Sequence, residues 1–143
     1  MSKVVRGTEV SFFEAPGLLR RFGKFMISPQ TVTDAPLTFG LFVYPPGARS
    51  HAPTHPFGTE VYYCLTGELE AFIKGKPHRL AEGDLIIITP GDKHYATNPG
   101  KTVLHFIAVH TPAVSDYEEF RLLWRERKAD LSDASVDRIK SEE

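Results

Sequence analysis

The sequence predicts an all-β domain, and three observations carry that expectation. Its apolar runs are four to eight residues long, the length of strands rather than helices. Eleven glycines and eleven prolines fall mostly between these runs. The dipeptides Thr66-Gly67 and Pro90-Gly91 stand at run ends and suit tight turns, the second with Pro fixing φ and Gly accepting a positive φ. The expected strands are Glu9–Phe13, Leu37–Tyr44, Glu60–Leu65, Glu68–Lys74, Leu85–Ile88, Tyr95–Asn98 and Val103–Val109. Gly75-Lys76-Pro77 and Glu82-Gly83-Asp84 read as further turns.

The pattern changes after Pro112. Ser115-Asp116-Tyr117-Glu118 matches a capping box, a serine N-cap followed three residues on by a glutamate. Tyr117, Phe120, Trp124 and Leu131 then recur at helical spacing, and Leu123 widens the stripe. An amphipathic C-terminal α-helix of about four turns is expected over Ser115–Leu131. The layout is an N-terminal lead-in with strands over residues 1–36, a β domain over 37–112, the helical segment over 113–131 and a polar tail over 132–143.

A chain of 143 residues is long enough for one ordinary domain with a buried core and too short for two. Lys plus Arg is 17 against 18 Asp plus Glu, so no basic excess marks the chain as a nucleic-acid binder. The single cysteine, Cys64, excludes an internal disulfide and a multi-cysteine zinc site, and reads as a small buried hydrophobe. The longest aliphatic run, Leu85-Ile86-Ile87-Ile88, is far short of a membrane span, and Met1–Val10 lacks a signal-peptide core. A soluble, cytoplasmic protein is the expectation, with neither membrane nor nucleic acid as partner.

The chemistry is expected among six histidines: His51, His55, His78, His94, His105 and His110. His55 and Glu60 lie in the stretch Gly47 to Glu60, which Gly67 follows. Gly83-Asp84, a short apolar strand, Pro90-Gly91, His94 and Asn98 make a second segment. Together these resemble the two motifs of the cupin superfamily, across roughly residues 37–110. The resemblance implies a small double-stranded β-helix, or jelly-roll barrel, with a metal inside. Residue by residue it implies His55, Glu60 and His94 as metal ligands, and Gly47, Gly67, Gly83 and Asn98 as framing positions. One position departs from the family pattern: Pro53 stands where the first histidine of the first motif belongs. His51, two residues earlier, would replace it if Ala52-Pro53-Thr54 bulges, because four extended residues span roughly 13 Å.

Two imidazoles and one carboxylate suit a divalent transition metal, one per chain, and leave coordination positions open. Iron, manganese, nickel and zinc all fit such ligands. Alternation along the strand sends Tyr62 and Cys64 to the same side as Glu60, and Val61, Tyr63 and Leu65 to the other. Tyr62 would then offer its hydroxyl to a bound molecule, and Arg49 would pair with a substrate carboxylate. His105 and His110 are five residues apart, so at most one of them faces inward. His78 is expected on the surface.

The resemblance implies a metal-dependent enzyme of dioxygenase, lyase or isomerase type acting on a small polar organic molecule, with Glu60 also able to serve as a general base. The alternative is a cupin that binds or senses a small ligand without transforming it. A homodimer is expected in either case.

Overall fold

The computed structural model describes residues 2–15, 21–50 and 57–114, and the backbone of 125–127. Among the described residues, a 3-10 turn, Gly7–Glu9, precedes ten strands. They are β1 (Phe12–Glu14), β2 (Phe22–Ile27), β3 (Thr38–Tyr44), β4 (Thr59–Thr66), β5 (Leu69–Ile73), β6 (Lys76–Leu80), β7 (Leu85–Ile88), β8 (His94–Thr97), β9 (Leu104–Thr111) and β10 (Arg125–Arg127). Seven of them form one sheet in the order β10-β1-β2-β3-β9-β4-β7, and three form a second in the order β6-β5-β8. Neighbours run antiparallel throughout. This is the expected jelly roll.

The two sheets share one core. Tyr44, Tyr62, Cys64, Ile88, Leu104, Phe106 and Ala108 come from the large sheet, and Leu69, Ala71, Leu80 and Ala96 from the small one. Burial alternates along β9, where Leu104, Phe106, Ala108 and His110 are buried and the residues between them are not. That period of two is the signature of a strand with one face on a core. Phe106 ties together three strands of the large sheet: its ring stacks on Phe42 of β3 at 5.3 Å and meets Tyr44 of β3 and Tyr62 of β4 edge-on at 4.9 and 5.5 Å. Edge-to-face and offset contacts at these distances are the arrangements favoured by the ring quadrupole.

Seven expected strands are present with ends moved by a few residues, and three strands were not foreseen. β2 reads Phe-Gly-Lys-Phe-Met-Ile, which alternates poorly, and its register to β3 shifts between Phe25 and Ile27. β6 lies where a turn was expected. The turn itself is one residue earlier, at Lys74-Gly75, with φ of 51° and 79°. Two consecutive left-handed residues make a type I′ hairpin, and the chain returns along β5. Pro77 is tolerated there because β6 is a sheet edge.

The C-terminal helix needs a correction. Arg125–Arg127, inside the span assigned to it, form β10, antiparallel to β1. β1 has only three residues and an open edge, and backbone pairing with β10 satisfies that edge. The remainder of Ser115–Leu131, and the polar tail, lie outside the described residues. Among the described residues, no helix is long and apolar enough to cross a membrane.

Candidate metal centre

Glu60 and His94 reach one another from different sheets. Glu60 is near the start of β4, in the large sheet, and His94 opens β8, in the small one. The His94 Nε2 atom lies 3.6 Å from Glu60 Oε1, with both side chains largely buried. On the other side of the ring, Nδ1 is 2.8 Å from the carbonyl oxygen of Asp92. A carbonyl only accepts, so Nδ1 carries a proton and donates it. In the neutral ring the lone pair is therefore on Nε2, aimed toward the carboxylate. An imidazole fixed by a backbone carbonyl at one nitrogen and free to coordinate at the other is the usual state of a metal-binding histidine.

The Asp92 carbonyl is itself held in place. Asp92 N–H donates to Thr89 O at 3.3 Å, and the Asp92 carboxylate meets Lys74 Nζ at 3.0 Å. Hydrogen bonds from Lys74 and Thr89 keep the Asp92 carboxyl below its ordinary range. Burial pulls His94 down, but its contact with Glu60, the Asp92 carbonyl and both negative charges raise it overall.

The separation of 3.6 Å is too long for a hydrogen bond. It suits two donors sharing one ion, since metal bonds to nitrogen and oxygen run about 2.0–2.2 Å. The chemistry of this pair, a neutral imidazole and a carboxylate, fits a divalent transition metal. Two donors do not complete a site, and no cluster of three or more His, Cys, Asp or Glu is present among the described residues. His51 and His55, the two further ligands expected from the sequence, lie outside the described residues, as does Pro53.

Tyr62 and Cys64 are both buried, on the side expected from alternation, and Leu65 is exposed. The Tyr62 ring stands edge-on to His94 at 6.0 Å. Cys64 is fully buried, and burial followed by the charges of Glu82 and Asp84 pushes its thiol up, the opposite of what a nucleophile needs. Arg49 is exposed and bridges by backbone to Thr97, while its neighbour Ala48 is buried. His78 is exposed on β6. Of the other two histidines, His110 is buried and His105 is half-buried on the opposite face.

Three polar residues of the interior were not singled out from the sequence. Tyr44 is buried at the end of β3, and burial pushes its phenol up to about 12 against the opposing pull of Arg21 and Ser50. Arg21, also buried, precedes β2 and hydrogen-bonds the Tyr44 side chain. Ser50 joins this group through Tyr44, and its Oγ accepts from Ala96 N at 2.9 Å. No motif marks Arg21; Tyr44 was legible only as the last apolar position of an expected strand. His110, the inward-facing one of the pair, has Nδ1 2.7 Å from Pro112 O and Nε2 3.1 Å from Phe57 O. It thereby ties the start of β4 to the end of β9, and it faces Glu60 in the register of those strands.

The second motif frames this site. Asn98 Nδ2 donates to Tyr44 O and Thr102 O, each at 2.8 Å, and Oδ1 accepts from Gly100 N at 2.9 Å. The sequence model of the Cupin domain family matches residues 40–110, which contain both framed segments. The chain belongs to the cupin superfamily.

No curated protein matches this cupin in sequence. Solved structures do. A predicted oxalate decarboxylase from Thermotoga maritima is 25% identical, with a TM-score of 0.67 over 77% of this chain and 99% of its own. An RmlC-like cupin from Shewanella frigidimarina is 22% identical, with a TM-score of 0.64 over 81% of this chain and 96% of its own. KdgF from Halomonas sp. is 18% identical, with a TM-score of 0.63 over 81% and 98%. The last two speak for the fold alone.

Proposed function

We propose that this cupin is a metal-dependent enzyme acting on a small polar organic molecule, with Glu60 and His94 as two ligands and His55, with His51, completing the set. The observation that carries the reading is the His94 ring, held by Asp92 O at Nδ1 and facing Glu60 Oε1 with Nε2 in the barrel interior. A divalent ion bound there would act as a Lewis acid toward an oxygen of the substrate. Glu60 would supply a carboxylate next to that oxygen, able to take a proton. Tyr62 would border the bound molecule from the β4 side, beside His94. Likeness to a predicted oxalate decarboxylase supports a carboxylate-bearing substrate, for which Arg49 is the exposed cation within the first motif.

The test is turnover of a panel of small carboxylates and sugar acids by protein loaded in turn with iron, manganese, nickel and zinc. The expected result is loss of one substrate with one metal, abolished by chelation and by Glu60→Gln. Recovery of every bound compound unchanged, from protein that carries metal, would overturn the enzymatic reading and leave a ligand-binding cupin.

A further inference from the structure

Lys74 holds a backbone conformation that a lysine does not favour. It is the first residue of the Lys74-Gly75 turn between β5 and β6, with φ +51°. That position of a type I′ hairpin prefers Asn, Asp or Gly, and a lysine there meets the left-handed penalty of its own Cβ. Among the described residues, the other non-glycine with positive φ is Asp34, a residue type that tolerates it. Such strain persists where the surroundings over-determine the residue, and the contacts of Lys74 show how they do so.

Lys74 grips the segment that leads into His94 at two points. Its ammonium lies 3.0 Å from Asp92 Oδ1, and its backbone N–H donates to Lys93 O at 2.8 Å. The peptide between these two contacts is the one whose carbonyl, Asp92 O, accepts from His94 Nδ1 at 2.8 Å. Asp92 also closes the turn Thr89-Pro90-Gly91-Asp92. Its N–H donates to Thr89 O at 3.3 Å, the Thr89 hydroxyl donates to Asp92 Oδ2 at 3.1 Å, and Gly91 has the positive φ, +89°, of a type II turn. This turn carries the chain from Ile88 in the large sheet to His94 in the small one, and Ile88 is the register partner of Glu60. Its geometry therefore helps to set where the His94 ring stands against Glu60.

We infer that Lys74 is a positioning residue of the metal centre: through Asp92 it fixes the carbonyl that orients the His94 ring and sets its tautomer, an assignment that rests on the reading of His94 and Glu60 as ligands. Lys74 acts on a bound divalent ion in two opposed ways. Its positive charge repels the ion, and its grip aligns a ligand for it. The Lys74 side chain is 67% exposed and paired with Asp92, so solvent and that carboxylate screen the repulsion. The alignment passes through hydrogen bonds in a half-buried turn, where screening is weaker. On charge alone, loss of the lysine would tighten metal binding. On alignment, it weakens metal binding, as loss of an outer partner of a ligating histidine does.

Lys74→Asn separates positioning from a purely structural role. Asn-Gly is a favoured pair for a type I′ turn, so the metal-free variant is expected to unfold in urea at or above the wild-type midpoint. Its affinity for zinc, a probe without redox chemistry, is expected to fall about five- to tenfold in calorimetric titration. Lys74→Arg keeps the ion pair and is expected to restore most of that loss. Nitrogen-15 spectra of the histidine rings, taken on metal-free protein in alkaline buffer and assigned with His94→Gln, read the cause. His94 is expected to carry its proton on Nδ1 in wild type and Lys74→Arg, and to mix tautomers in Lys74→Asn. Zinc affinity in Lys74→Asn equal to or tighter than wild type, an unchanged His94 tautomer, or a loss of folding stability that parallels the loss of zinc would each overturn the inference. Wild type that binds no zinc, while its His94 ring still changes tautomer in Lys74→Asn, would overturn the metal reading and leave the positioning of His94 standing.

Discussion

His94 Nε2 stands 3.6 Å from Glu60 Oε1 across the interior, and its Nδ1 is fixed 2.8 Å from Asp92 O. The two side chains come from opposite sheets, so an ion held by both fastens the sheets together. Saturating divalent metal is therefore expected to raise the melting temperature. The stabilisation is about 2.7 kcal/mol at a hundredfold excess over Kd. His94→Gln and Glu60→Gln are each expected to remove most of that increment in calorimetry. An increment equal to wild type in both variants would contradict the pairing.

Asn98 is a structural member of the second motif. It is 2% exposed, and its side chain bonds Tyr44 O, Thr102 O and Gly100 N. Asn98→Ala strands the buried Tyr44 carbonyl and removes the partner of the half-buried Thr102 O and Gly100 N, with an expected loss of about 1–3 kcal/mol. Urea unfolding measures it directly, and a loss below about 1 kcal/mol would mean that water replaces the amide.

Two glycines with nearly equal φ should respond differently to alanine. Gly58 has φ +82°, and a Cβ there would lie 2.5 Å from Thr111 O and 2.7 Å from His110 Cε1. Gly91 has φ +89° and nothing within 4 Å of that position. Gly91→Ala is expected to cost about 1–2 kcal/mol, the left-handed backbone penalty alone. Gly58→Ala meets backbone as well as strain and is expected to cost more, measured as the difference between the two denaturation midpoints.

Tyr44 gives the fold an alkaline limit. Its phenol is raised from 10 to about 12, chiefly by burial, with Arg21 and Ser50 pulling down and the Glu60 charge pushing up. Above pH 10 the unfolded chain releases this proton before the folded one does. The Tyr44 contribution is thus full below about pH 10 and is lost as pH rises through about 12. Wild type is expected to lose stability relative to Tyr44→Phe across that window, by up to roughly 1.4 kcal/mol per pH unit. Parallel curves for the two proteins would count against it.

How much was legible follows from what local pattern can carry. Apolar runs with glycine-marked ends stood out in the sequence: β7, all aliphatic, follows Gly83-Asp84, and β4 ends at Thr66-Gly67. β2 did not, because Gly23 and Lys24 interrupt its apolar pattern. β6, Lys-Pro-His-Arg-Leu, is mostly exposed and forms by pairing with β5 rather than by burial. Arg125–Arg127 sat in a helical pattern that the open edge of β1 overrode at those residues. Glu60 and His94 were legible through motif spacing, and their meeting is tertiary geometry. The Asp92 carbonyl that orients His94, and the Arg21–Tyr44 pair, have no signature in one dimension, since each joins a side chain to a group chosen by the fold.

The most direct test of the metal centre is the metal content of gently purified, untagged protein by elemental mass spectrometry, beside His94→Gln and Glu60→Gln. The account predicts about one divalent transition-metal ion per chain in the wild type and a loss of most of it in each variant. Metal-free wild type that takes up none on addition, or variants that retain the full complement, would contradict it.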